Sequence, residues 1–286
     1  MTAAEILSSL EMGLIYGIVA LGIYLTFRII DFPDLTCDGS FVSGAAASAV
    51  LLKAGIHPLL ALLFALFLGA VAGFITGILY VYCRLTNLLS GILTAFMLYS
   101  LNLKLMGGAP NIPLFHASTI LAQYPVLTLI TIACIIWSLC SYLLTTDFGL
   151  ALRSIGQNKK LARMYGVRIS LLTMYGLILS NSLIGLGGAL FCQYQKFADI
   201  SQGFGTIVIG LAAVMIGEKI LPFRSMWIGP LACILGSIVY RFIVACALHS
   251  EWLGLESSDL NLITGLIIVF VMLFSSFSPK RRKSIC

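Results

Sequence analysis

Charge is what this sequence has least of. Aspartate, glutamate, lysine and arginine make up 10% of its 286 residues, against about 25% in an ordinary soluble domain. A chain so poor in charge cannot clothe a water-facing surface, which excludes a cytosolic enzyme or a nucleic-acid-binding domain. Histidine is scarce too. His57, His116 and His249 are the three present, and no His-x3-His pair, Gly-x-Ser-x-Gly elbow or Ser/His/Asp set stands at usable spacing, so an intramembrane enzyme is disfavoured. The sequence has no Gly-x4-Gly-Lys-Ser/Thr, hence no P-loop to hold ATP phosphates. Its eight cysteines are scattered through apolar runs without C-x2-C spacing, and read as small core residues, not as metal ligands or staples. The first five residues lack Lys and Arg, and Glu11 interrupts what would be a signal peptide's apolar region. The first apolar run is therefore expected to stay as a membrane helix.

What is abundant is apolar length. Sixty per cent of the residues are hydrophobic and the mean hydropathy is +1.05. At roughly 20 residues per spanning helix, the pattern predicts an all-α polytopic membrane protein, a single transmembrane domain over 1–286. Nine spans are expected, near 6–29, 38–54, 58–82, 87–106, 124–144, 170–192, 203–217, 226–248 and 259–277. The second and seventh are short and rich in Gly, Ala and Ser. Such helices either pack deep among neighbours or line a cavity, because backbone facing lipid must be paired.

Basic residues sort by side. Placing Lys280, Arg281, Arg282 and Lys283 in the cytoplasm and counting back puts Arg28, Arg84, Arg153, Lys159, Lys160, Arg163, Arg168, Lys219 and Arg224 inside as well. That is thirteen of the 17, with Lys53, Lys104, Lys196 and Arg241 outside or in outer halves. The bias predicts an N-terminus outside and a cytoplasmic C-terminus. It also explains the net charge of +6 without an anionic macromolecular partner.

Two stretches resemble each other. Ile15-Tyr16-Gly17, then Phe32-Pro33-Asp34-Leu35-Thr36, then a small-residue span, is matched by Met174-Tyr175-Gly176, Phe197-Ala198-Asp199-Ile200-Ser201, and a second such span beyond Gly205. Five spans separate the copies, so the second is inverted. The expected organisation is repeat 1 (6–106), a linking helix (124–144), a cytoplasmic segment (145–169), repeat 2 (170–277) and a basic tail (278–286). Inverted repeats are characteristic of transporters, with the pathway at the repeat interface. Asp34 and Asp199 are pathway candidates, and are equally ordinary N-caps for the helices that follow.

The longest polar stretch is 147–168. Leu150, Leu152 and Ile155 give it an apolar face, and Gly156 is expected to break the run. Asn158 then caps a second short helix that Gly166 closes as C′. Two short amphipathic helices make a knob that either lies on anionic lipid or docks a cytosolic partner.

The pattern Gly149-x-Ala151-x-Arg153-Ser154-x-Gly156-x-Asn158-x4-Arg163-x2-Gly166 resembles the coupling segment of ABC importer permeases of the ribose and branched-chain amino acid type. Gly91-Ile92-Leu93-Thr94 followed by Met106-Gly107-Gly108-Ala109-Pro110-Asn111-Ile112-Pro113-Leu114 is similar to a narrower branch, whose permeases accompany binding proteins for tryptophan- or tyrosine-type solutes. Ala109 stands where that branch often carries a basic residue. The resemblance spans nearly the whole chain. It implies a fold like the vitamin B12 importer permease, one N-terminal helix shorter, in a bacterial inner membrane. It also implies two permeases (a homodimer), a cytosolic ABC ATPase that binds the ATP, an external solute-binding protein and no cofactor in this chain. Arg153, Gly156, Asn158, Arg163 and Gly166 would then couple the knob to the ATPase, Arg153 and Asn158 by orienting it, Gly156 and Gly166 by permitting its bends.

Among the remaining residues, Gly69, Gly73 and Gly77 recur at every fourth position, with Ala232 and Gly236 as a weaker counterpart. Both are small-xxx-small faces for close helix packing, within one subunit or across a dimer. Asn102 and Asn181 are pathway candidates or helix-to-helix hydrogen bonders, and Lys104 and Arg241 are expected to snorkel to the interface. Glu11 is expected in an outer half, where it can meet water. Two other classes stay open at this stage: a standalone ion-coupled carrier, for which intramembrane carboxylates are few, and a membrane enzyme.

Overall fold

The computed structural model describes residues 3–114, 119–222, 225–248 and positions 265, 266 and 269. It is a helical bundle. In chain order come α1 (Ala3–Ile23), a π-wound turn (Tyr24–Ile29), α2 (Cys37–Lys53), α3 (Pro58–Val81), α4 (Asn87–Leu105), β1 (Asn111–Pro113) and α5 (Pro125–Thr145). There follow α6 (Asp147–Gln157), α7 (Lys159–Met164), α8 (Ile169–Gln195), β2 (Phe197–Asp199), a 3-10 turn (Ile200–Gly203), α9 (Thr206–Ile220) and α10 (Ile228–Leu248).

Seven helices among the described residues are long and apolar enough to cross a membrane. The expected second span is present as α2, but at 17 residues with a mean composition diluted by Ser, Gly and Ala it falls short of that standard. Of the expected ninth span, the positions described are 265, 266 and 269, all helical, and the basic tail lies outside the described residues, as do Arg224, His116 and His249. Local chemistry sets the helix ends. Pro58 and Pro125 start α3 and α5, where a missing N–H costs nothing. Thr86 and Thr146 cap α4 and α6 through their hydroxyls, and Lys196 in the left-handed region (φ +61°) stops α8.

At the centre stands α8. Along it α3 runs antiparallel: Gly69, Gly73 and Gly77 lie against Asn181, Leu177 and Met174 in turn, so closely that a Cβ on Gly69 or Gly73 would overlap a main-chain carbonyl. The three-glycine face thus serves packing within this chain. α2 runs in the same direction as α8, Ser40 meeting Asn181 and Ser48 meeting Gln193, and crosses it where Gly44 lies on Gly185 and Phe41 on Gly188. α1 runs antiparallel to α8, pairing Gly22 with Ile184 and Gly187 with Val19. It carries α10 on its far side, Gly13 meeting Ile238 and Gly17 meeting Ile234. α9 packs against both, Gly210 under Ile23 of α1 and Gly236 of α10 facing Ala213 and Gly217. Lipid is as apolar as Leu, so close backbone approach and interhelical hydrogen bonds carry the association of such helices.

The bundle has two dissimilar ends. At one, β1 and β2 pair antiparallel, Ile112 opposite Ala198, and Leu114 N–H extends the pairing to Lys196. At the other sit α6 and α7.

Candidate functional site

The α6–α7 elbow holds the longest polar stretch of the chain, 147–168. Its inner side is fixed: Leu152, Ile155 and Ala162 are buried, and Gly149 lies on the Leu143 carbonyl. Asn158 Oδ1 accepts from the N–H groups of Lys160 (3.0 Å) and Leu161 (3.1 Å), the cap expected of it. Gly166, at φ +79°, occupies the left-handed C′ position behind α7. Gly156 departs from expectation. It is a regular residue of α6, which runs on to Gln157, and the break falls at Asn158, whose extended backbone (φ −157°, ψ 99°) separates the two helices. What position 156 requires is the absence of a side chain, because a Cβ there would overlap the Ile29 carbonyl.

The outer side is apolar and uncovered. Leu150, Leu161, Met164 and Tyr165 are exposed, Tyr165 at 80%, beside exposed Lys159, Lys160 and Arg163. Between α6 and α7 lies a groove of about 290 Å³ lined by Asp147, Leu150, Ser154, Asn158, Leu161 and Tyr165, among others. Arg153 points the other way. It is half-buried, its Nε donates weakly to Gly149 O (3.4 Å), and it lies within electrostatic range of Tyr24.

A second cluster occupies mid-depth. Asn181, near the middle of the 27-residue α8, donates through Nδ2 to Asp34 Oδ2 (2.7 Å) and accepts from Ser40 Oγ (2.6 Å). Asp34 Oδ1 accepts from Thr36 N–H (2.9 Å), and the Thr36 and Thr76 hydroxyls are 2.7 Å apart. Asn102 Oδ1 accepts from Ser43, and its Nδ2 donates to Gly39 O. Asp34, Asn102 and Asn181 are all buried. In this conformation each of the three joins neighbouring helices.

Asp199 makes the same local turn as Asp34, accepting from Ser201 N–H (2.7 Å), but it lies on the ribbon at the bundle end. Burial pushes its carboxyl up. Hydrogen bonds from the Ser201 hydroxyl and N–H and from Asn111 outweigh that and hold it below the ordinary carboxylate range.

Asp38 is the residue that sequence reasoning passed over. Its carboxylate accepts from Ile207 N–H (3.0 Å) and Gly205 N–H (3.4 Å), so a residue of α2 caps α9 from across the bundle. The N-termini of the two short helices meet there, each helix leaving toward the opposite end. An Asp in the first turn of a small-residue helix is the only local signal; its partner is 167 positions away. Glu11 is buried at 5% exposure, not water-facing, and interacts with Tyr194. Arg241 does not snorkel freely: its guanidinium lies 4.1 Å from the Tyr16 ring centroid. Lys104 is exposed. Among the described residues no cluster of His, Cys, Asp and Glu is arranged to hold a metal.

A family model described as the permease component of branched-chain amino acid transport systems matches residues 5–275. A tyrosine transport system permease protein of Clostridioides difficile is 37% identical over 281 residues, covering 98% of this chain and 94% of its own length. An uncharacterized protein of Rickettsia prowazekii is 34% identical over 98% of this chain and 99% of its own. An autoinducer 2 import system permease protein of Yersinia pseudotuberculosis is 25% identical over 96% and 76%. Among solved structures, an inward-facing ABC transporter of metal-chelate type aligns with a TM-score of 0.49 and 16% identity, over 95% of this chain and 86% of that one.

Proposed function

The chain belongs to the family of branched-chain amino acid transport permease components and is a multi-pass membrane permease subunit for a small solute; we propose that its solute is an amino acid of the aromatic type, handed over by an external binding protein and driven by ATP hydrolysed on a separate cytosolic subunit. The family speaks for a transport subunit, not a catalytic one. The observation that carries the drive mechanism is the α6–α7 knob, seated on Gly149, Leu152, Ile155 and Gly156 and crowned by exposed Leu161, Met164 and Tyr165. An apolar patch held rigidly at an aqueous end is a surface in want of a partner, and the chain has no P-loop of its own. The 37% identity to a tyrosine transport permease supports the choice of solute.

In this reading two copies of the chain form the membrane unit in a bacterial inner membrane. The knob is cytoplasmic, and the ribbon and N-terminus face out. ATP closes the ATPase pair, the knobs move with it, and the two stretches that begin with α1 and α8, acting as inverted repeats, rock to open the pathway alternately to each side. Arg153 and Asn158 orient the knob; Arg163 and Gly166 complete its docking face and its end.

Proteoliposomes holding the chain with a partner ATPase and an external binding protein test this. Uptake of labelled tyrosine or tryptophan that requires ATP, the ATPase and the binding protein is the expected result. Uptake by this chain alone along an ion gradient overturns the drive mechanism. ATP-driven uptake of a sugar or nucleoside with aromatic amino acids excluded overturns the solute.

A further inference from the structure

The base of the knob rests on the π-wound turn that continues α1. From Tyr24 to Ile29 the chain is wound as a π-helix, closed by Ile30 N–H to Leu25 O (3.2 Å) and Phe32 N–H to Thr26 O (2.9 Å). Gly156 of α6 lies on the Ile29 carbonyl, and Ile30 fills the space over Gly176 of α8 beside Leu152. One residue before Ile29, Arg28 donates from Nη2 to Glu218 Oε1 in the last turn of α9. Tyr24, buried in the same turn, sets its hydroxyl end against Gly229 at the start of α10. Arg28, Arg153 and Glu218 all lie within electrostatic range of it. α6 and α9 therefore meet through this turn.

A π segment is rare, confined to short stretches and concentrated at functional positions, because it holds an extra residue that α winding would expel. Rewinding the turn as α rotates Arg28 about the axis by about 100°, which takes its guanidinium off Glu218. The pair itself is half-exposed, 52% at Arg28 and 38% at Glu218, and such pairs add little to stability. Its value lies in what it joins.

We infer that the Arg28–Glu218 pair is the link through which α6 moves α9. Pressing the knob displaces the π turn through Gly156. The turn draws the end of α9 with it, and the motion reaches the α9 N-terminus, where Asp38 holds α2. The inference rests on the reading of the knob as a driven element, and adds the residues that pass its motion on.

The readout is solute moved per ATP hydrolysed, measured in the same proteoliposomes. Arg28→Glu and Glu218→Arg are each expected to lower that ratio by about fivefold or more, a coupling of the size found between contacting residues. ATPase binding and ATP hydrolysis should stay near wild-type. The double exchange R28E/E218R is expected to restore the ratio to within about twofold. Size-exclusion profiles in detergent check folding, and where a reversal lowers the folded yield, Arg28→Gln and Glu218→Gln take its place with the same expected loss. An unchanged ratio in both single variants, or no recovery in the exchange, overturns the link. Wild-type protein that transports without ATP overturns the driven-knob reading instead, and the two failures are distinguishable.

Discussion

Asn158 and Gly156 stand two positions apart in one knob, and their substitutions have different consequences. Asn158→Ala removes a cap that two N–H groups share, with an expected cost of about 1 kcal/mol confined to α7. Faster hydrogen exchange over 159–166, with an unchanged melting temperature, is the measurement that checks it. Gly156→Ala keeps the helix and raises its intrinsic propensity, yet puts a methyl group into the Ile29 carbonyl. The whole of α6 must lift, at an expected cost of about 1–3 kcal/mol, and ATP-driven uptake should fall more than ATPase activity does. A result in which Gly156→Ala stabilises the protein would mean that the α6 seat is loose. Asp199 supplies a pH dependence. Its carboxyl titrates lower when folded than when unfolded, so its contribution to the ribbon is complete above about pH 4 and is lost as pH falls through the folded value. Exchange protection of Ile112 and Ala198, corrected for intrinsic rates, should therefore drop below about pH 4 in the wild type and be flat over that range in Asp199→Asn.

Among elements, what could be read from the sequence was whatever local chemistry decides. The apolar runs located α1, α3, α4, α5, α8 and α10 to within a few residues, and Asn158 and Gly166 set the limits of α7. Contacts distant in sequence were not legible. Nothing near Gly156 tells that a carbonyl 127 positions earlier occupies the space of its side chain, so its glycine was read as a helix break. Nothing near Asp38 reveals α9. The π winding of Tyr24–Ile29 has no compositional mark, and neither has the Arg28–Glu218 pair. The mid-depth polar cluster was half legible: Asp34, Asn102 and Asn181 stood out as polar groups in apolar surroundings, while Ser40, Ser43 and Thr76, which complete their hydrogen bonds, are unremarkable in a small-residue helix. The cap that Asp38 gives α9 yields its own prediction. Asp38→Ala leaves two N–H groups unpaired at the end of a buried helix, an expected loss of about 1–2 kcal/mol. Asp38→Asn, which retains an acceptor oxygen, should lose less. Thermal unfolding in one detergent ranks the two.

For the whole molecule the first question is which end faces which compartment. Single cysteines replacing Lys160, at the α6–α7 end, and Lys53, where α2 ends beside the ribbon, are both exposed in wild type as lysines. An impermeant thiol reagent added to intact cells should label the Lys53→Cys protein above the wild-type background and leave Lys160→Cys unlabelled until the membrane is opened. The reverse pattern would turn the molecule over and remove the knob from the reach of any nucleotide-driven partner.

The contact between α3 and α8 bears on how such a molecule can change shape. Where Gly69 and Gly73 meet Asn181 and Leu177 there are no side chains between the two backbones, so no rotamer change can ease one helix past the other. Two rods in such contact either part altogether or travel as a single plank. The α9–α10 contact is of the same kind, through Gly217 and Gly236, so any working stroke must be hinged elsewhere, as where α1 meets α9 with the Ile23 side chain lying on Gly210.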